Sequence, residues 1–289
     1  MFCSRLPKTT VGEAASRAGK SHMQTPSRKR FVIVGMARSG TTVTLQALQG
    51  HPDVRTAMDE IRVDPFFTRG IGAFTVSGQN DWEREHGMGL LIDALSLIPG
   101  AEGDPKLMGY GGTKAHPKSD RVLANGLKVA LGSALEARQL VDAMQENESL
   151  REVALIRVHR DDLVAQYASL VRAMRSGVWH SFFKTPASIE HPEGPFTIPA
   201  DEFEVYCRDC VTVRAQLDRL KWTHPMLDVS YERDIEAKGI GAFGRVFEFL
   251  SLPAIEAVWI GSTKVAPPVA AFVTNWEQLY DIAAKLAAA

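Results

Sequence analysis

Phe31 to Val34 is a short apolar run that reads as a buried parallel strand, and it breaks at Gly35. A turn through Met36-Ala37-Arg38-Ser39-Gly40 leads into a helical stretch from Thr41 to Leu48. The alternation of strand-like and helix-like segments then continues to the C-terminus without an internal repeat. Leu127 to Ala130 predicts a short strand, Ala134 to Met144 a helix, and Glu152 to Val158 a second buried strand. Leu163, Tyr167, Leu170, Val171 and Met174 fall at i, i+4, i+7, i+8 and i+11, one helix face. A helix from about Ala200 to Leu220 precedes a third strand, Met226 to Tyr231, and Phe243, Val246, Phe247 and Leu250 mark another amphipathic helix. A last helix follows Asn275, its expected cap, with the Glu277 carboxylate in the first turn. Strands alternating with helices predict an α/β fold, a parallel sheet covered by helices on both faces. Glycine-broken stretches interrupt the pattern at 61–125 and 176–199, but no linker divides residues 30–289, which are expected to form a single P-loop-type domain.

The first strand–loop–helix unit carries chemistry. It aims free backbone N–H groups and the positive end of a helix dipole at an anion. Gly35 and Gly40 have the spacing of a phosphate-binding P-loop, and Thr42 stands where that motif has Ser or Thr. Thr41 occupies the lysine position, and the nearest cation is Arg38 inside the loop. A nucleotide kinase needs that lysine on the β- and γ-phosphates. Its loss argues against ATP chemistry.

Composition narrows the field. The 289 residues are 45% hydrophobic with a formal net charge of −1, so the core is ample and no basic field for nucleic acid exists. No apolar run approaches the roughly 20 residues of a membrane span. Three cysteines make no disulfide framework and suit a reducing, cytoplasmic setting. Residues 1–29 read as a disordered basic leader: the first thirty residues hold seven Lys or Arg and one acid, Glu13. Met23 is an alternative start, and such a leader can touch anionic lipid peripherally.

Residues 156–174, IRVHRDDLVAQYASLVRAM, repeat the strand-then-helix layout, with Arg160 just past the strand and Ser169 in the helix. In an open α/β sheet, ligands sit at the carboxyl ends of strands. Arg160 and the Arg38 loop can therefore converge on one ligand with two anionic groups, or Arg160 can simply form a surface ion pair.

These segments resemble the sulfotransferases that use 3′-phosphoadenosine 5′-phosphosulfate (PAPS), above all the bacterial nodulation-factor and Golgi carbohydrate types. GMARSGTT with the downstream HPDV resembles the family's 5′-phosphosulfate loop, with Ala37 in place of the usual Pro. RDDLVAQYAS resembles its 3′-phosphate motif, and DVSYERD, VFEFLSLP and FVTNWEQL echo further family segments in order. The resemblance implies that Arg38, Ser39, Gly40, Thr41 and Thr42 cradle the phosphosulfate and that Arg160 and Ser169 hold the 3′-phosphate. Arg38 is permanently charged and suits the charge that grows on the bridging oxygen. The sulfuryl oxygens carry less charge than a γ-phosphoryl group, so no metal is required. The acceptor is expected to be a small molecule, glycan or lipid.

A base must take the acceptor's proton. In carbohydrate-type relatives it is a Glu shortly after the His-Pro element, which points to Glu60 before Ile61; counting from His51 points to Asp59. His51 reads as a turn-fixing residue beside Pro52. His116 and His159 stay in view because His is the base in the family's cytosolic branch, and Lys264 reads as a solvated loop residue. Cys207 and Cys210 share a helix face with Phe203 and Leu217, which makes them packing residues rather than a metal pair. Trp82, Phe66, Phe67 and Phe74 are sugar-stacking or core aromatics. Two other classes compete with the enzyme reading: a P-loop nucleotide kinase or NTPase, and a nucleotide-binding pseudoenzyme.

Overall fold

The computed structural model describes residues 29–56, 61–62, 121–177, 194–238, 241, 243–255 and 267–288. Among the described residues six strands form one wholly parallel sheet: β1 (Lys29–Met36), β2 (Val54–Thr56), β3 (Ile61–Arg62), β4 (Ala124–Leu131), β5 (Ala154–His159) and β6 (Met226–Ser230). The order is β2-β4-β1-β5-β6, and β3 pairs with β4 further along, Ile61 opposite Val129. The strand, helix and fold-class expectations hold. Lys29–Met36, Thr41–Gly50, Ala124–Leu131, Ala134–Glu146 and Leu163–Ser176 extend past the runs that announced them. By contrast, the helix expected to Leu220 ends at Asp218, the strand expected to Tyr231 ends at Ser230, and the strand expected from Glu152 begins at Ala154.

Side chains alternate across each strand and so supply two cores. Val32, Val34, Leu127, Val129, Leu131 and Leu155 face one core. It is covered by α2 (Ala134–Glu146), α3 (Leu163–Ser176), α4 (Ala200–Asp218) and α6 (Trp276–Ala288). Phe31, Ile33, Ala154, Ile156 and Val158 face the other, under α1 (Thr41–Gly50) and α5 (Gly244–Phe249).

Local signals place the helix starts. Ser133 Oγ caps α2 by accepting from Glu136 N at 3.3 Å, and the Glu136 carboxylate accepts from Gly132 N at 3.0 Å. Asp162 Oδ1 caps α3 through Ala165 N at 2.8 Å, which places the cap two residues after Arg160 and starts the helix at Leu163. Asn275 does more than precede α6. Its amide grips both backbone groups of Ile198, accepting from the N–H at 3.1 Å and donating to the C=O at 2.8 Å. Among the described residues no helix is long and apolar enough to cross a membrane.

Candidate active site

β1 and β5 are adjacent and in register, Phe31 opposite Ala154 through Val34 opposite Arg157. Their carboxyl ends therefore deliver the Arg38 loop and Arg160 to the same edge of the sheet. Gly35 permits this closeness, since a Cβ there would overlap the Val158 carbonyl oxygen. The loop is braced from both sides: Ala37 N donates to Leu131 O at 3.1 Å, and the buried Gln166 amide of α3 donates to Ala37 O at 2.9 Å.

Two residues in the loop adopt left-handed backbone, Gly40 at φ 102° and Arg38 at φ 65°. The second is unfavourable for a residue with a side chain and marks stored strain in the loop. Helix α1 begins at Thr41 with no side-chain cap and no acid in its first turn. Its first closing bond runs from Thr44 N to Gly40 O at 3.1 Å, so the amides of Thr41, Thr42 and Val43 are the open donors of a helix N-terminus. Ser39 Oγ is fully buried and has no hydrogen-bond partner among the described residues.

The two motifs meet directly. Arg38 Nε donates to Ser169 Oγ at 3.1 Å, across 131 residues of sequence. Arg160 is no surface residue: its side chain is 9% exposed, its guanidinium lies 4.4 Å from the centre of the Tyr231 ring, and Nε donates to Glu232 Oε1 at 3.1 Å. Beside it Asp161 accepts from Ser230 Oγ at 2.9 Å and Arg233 Nε at 3.1 Å. Burial raises the Asp161 pKa, but the Ser230 hydroxyl, Arg233, His159 and Arg214 outweigh it and hold the carboxyl below its ordinary value.

A third cation was missed at the sequence level. Lys128, in the middle of β4, is 2% exposed and donates from Nζ to Thr42 Oγ1 at 2.9 Å. Its position inside an apolar strand gave no sign of this, although a lysine in a strand expected to be buried is itself a signal.

His51 holds a turn, as expected. Its Nδ1 accepts from Asp53 N at 3.1 Å, so Nε2 carries the proton and donates to Pro253 O at 3.0 Å. His159 Nε2 lies 3.6 Å from Asp161, its Nδ1 is buried without a hydrogen bond, and burial followed by the Arg214 charge lowers its pKa. Cys207 and Cys210 pack on α4 as expected, and burial pushes their thiols up to about 11 and about 12, values of unreactive thiols. Asp59, Glu60, His116, Lys264, Phe66, Phe67, Phe74, Trp82 and leader residues 1–28 lie outside the described residues.

Residues 30–94 match the model of the sulfotransferase family. No curated protein matches the chain. Among solved structures it is similar to a sulfotransferase from Alicyclobacillus acidocaldarius, at 16% identity and a TM-score of 0.45, over 90% of this chain and 92% of that one. The sulfotransferase domain of the Synechococcus PCC 7002 olefin synthase gives 14% identity and a TM-score of 0.41, over 91% and 98%. A sugar kinase from Janibacter sp. HTCC2649 gives 11% identity and a TM-score of 0.36, over 78% and 96%. The matched family segment contains the Arg38 loop and α1, and it supports sulfuryl transfer as the general chemistry. That match makes residues 30–94, with the Arg38 loop and α1, similar to the sulfotransferase family.

Proposed function

We propose that this protein transfers a sulfuryl group from PAPS to a hydroxyl of a carbohydrate or lipid acceptor, with a carboxylate as general base. The observation that supports this reading best is the 3.1 Å bond between Arg38 and Ser169, one residue from each of the two motifs assigned to the donor. The residues fit a donor with two separate anionic groups. The buried, unbonded Ser39 hydroxyl and the uncapped start of α1 lie in the loop assigned to the phosphosulfate. Arg160 stands at the end of the neighbouring strand for the 3′-phosphate.

The donor supplies a sulfuryl group activated by its phosphate leaving group. Arg38, Ser39, Gly40, Thr41 and Thr42 hold that end, with Arg38 placed to offset negative charge as the S–O bond breaks. Glu60 takes the proton of the acceptor hydroxyl as the new O–S bond forms. The buried Lys128 ammonium supplies charge beside Thr42 that a nucleotide kinase draws from a metal ion there.

A thermal-shift panel of adenosine 3′,5′-bisphosphate, AMP and ATP with Mg²⁺ tests the reading. The bisphosphate is expected to stabilise the protein most. Greatest stabilisation by ATP with Mg²⁺ would overturn it in favour of a nucleotide kinase.

A further inference from the structure

The turn that follows β6, Tyr231–Glu236, touches both anion motifs, yet the donor assignment leaves it without a role. The Tyr231 ring lies under the Arg160 guanidinium at 4.4 Å and packs against the loop glycine, where a Cβ on Gly40 would sit 2.8 Å from Tyr231 Cδ2. Glu232 spends both carboxylate oxygens on the neighbouring corner, one on a side chain and one on backbone. Oε1 accepts from Arg160 Nε at 3.1 Å and Oε2 from Asp161 N at 2.8 Å. The turn is itself anchored there, because Ser230 Oγ accepts from Arg233 N at 3.3 Å and donates to Asp161 Oδ2 at 2.9 Å.

Two arginines on this strand end are treated differently. Arg157 is held at two of its nitrogens, one of them terminal: Asp228 holds its Nε, and its Nη1 donates to Asp218 at 2.7 Å and to Arg214 O at 3.1 Å. That is a structural arginine. Arg160 is held at Nε, and among the described residues its two terminal nitrogens take no hydrogen bond. A guanidinium gripped from the side and backed by a ring keeps its outer fork free, and that fork matches phosphate oxygens.

We infer that Glu232 is a positioning residue of the donor site. Resting on the PAPS reading above, Glu232 holds Arg160 by Nε, with Tyr231 fixing the plane, so that the terminal nitrogens meet the 3′-phosphate. Glu232 thereby sets the preference for a 3′-phosphorylated nucleotide. A carboxylate near an anion site also repels every anionic ligand. Its removal alone would tighten the bisphosphate more than AMP, because the 3′-phosphate is the group assigned beside it, and a merely structural role would weaken them together. Only lost positioning lowers the preference for the bisphosphate.

Calorimetry with adenosine 3′,5′-bisphosphate and with AMP on the full chain reads that ratio. Glu232→Ala is expected to reduce the preference for the bisphosphate about tenfold, in line with the loss of one charge-assisted contact. Glu232→Gln keeps one acceptor for Nε and is expected to fall between, and it carries the test if the alanine variant does not fold. In an Arg160→Ala background, Glu232→Ala should not lower the preference further, since the residue it positions is gone. If the unaltered protein binds both ligands equally, the PAPS reading falls and Glu232 loses its assigned role with it. If the unaltered protein prefers the bisphosphate and both Glu232 variants keep the full preference, the positioning role alone is overturned.

Discussion

Lys128 Nζ on β4 reaches Thr42 Oγ1 on α1 at 2.9 Å, a bond between residues 86 positions apart. An ammonium only donates, so Thr42 accepts here and keeps its own O–H to offer an anion. Lys128 stands opposite Ile33 of β1, on the strand beside the loop strand. Lys128→Met is therefore expected to weaken adenosine 3′,5′-bisphosphate binding by roughly 10- to 100-fold, the range of a lost charge-assisted contact. Calorimetry beside a circular-dichroism melt checks this, and unchanged affinity in a folded variant would remove Lys128 from the site.

The bond also shows what a linear reading reaches. The apolar run Phe31–Val34 and the loop after it were legible because a buried parallel strand needs continuous hydrophobicity and a P-loop needs fixed glycines. The α3 stripe was legible for the same kind of reason: its apolar residues recur at helical spacing. β2 and β3, at three and two residues, are too short to carry a period. The grip of Glu232 on Arg160 spans 72 residues, and that of Gln166 on Ala37 spans 129. Such pairs depend on which strands become neighbours. Asn275 illustrates the limit locally, since a good capping residue turned out to hold the backbone of Ile198.

Arg38, the cation proposed to face the leaving group, has a left-handed backbone, φ 65°. Arg38→Ala is expected to lower sulfuryl transfer by about 10²–10³-fold through loss of charge stabilisation. Arg38→Gly should lose the same activity yet be more stable than the alanine variant by about 1 kcal/mol, because glycine adopts this conformation without penalty. Paired activity and urea-denaturation measurements separate the two effects. Equal stability of the two variants would show that the loop stores no strain at this residue.

The base assignment makes a prediction of a different shape. A group that acts on the acceptor hydroxyl matters in the transition state and little for donor binding. Glu60→Gln is expected to lower turnover by about 10²-fold or more while leaving bisphosphate affinity nearly unchanged. Asp59→Asn should be milder. The acceptor for the assay comes from offering radiolabelled donor to a host-cell extract. Loss of turnover in Asp59→Asn alone would shift the base by one residue, and full turnover in both variants would transfer the role to His116 or His159.

Falling pH should destabilise the fold in two stages. Burial, foremost, lowers the pKa of both His159 and His224, whose Nδ1 and Nε2 respectively are buried without a hydrogen bond. Below the ordinary histidine value of about 6.5 the unfolded chain takes up protons that the folded chain refuses, so stability declines from there down to the lowered folded values. The second stage belongs to Asp218 and Asp228. Burial raises both pKa values, but the hydrogen bonds and charges of Arg157 and Lys221 outweigh it and hold both carboxyls below their ordinary value. Their contribution is complete above about pH 3.9 and is lost as pH falls through the folded values. Urea denaturation at pH 7, 5 and 3 is expected to show both declines, with His224→Asn flattening the first and Asp228→Asn the second. A pH-independent midpoint across that range would mean that neither the buried imidazoles nor the Arg157 cluster binds protons differently in the folded and unfolded chain.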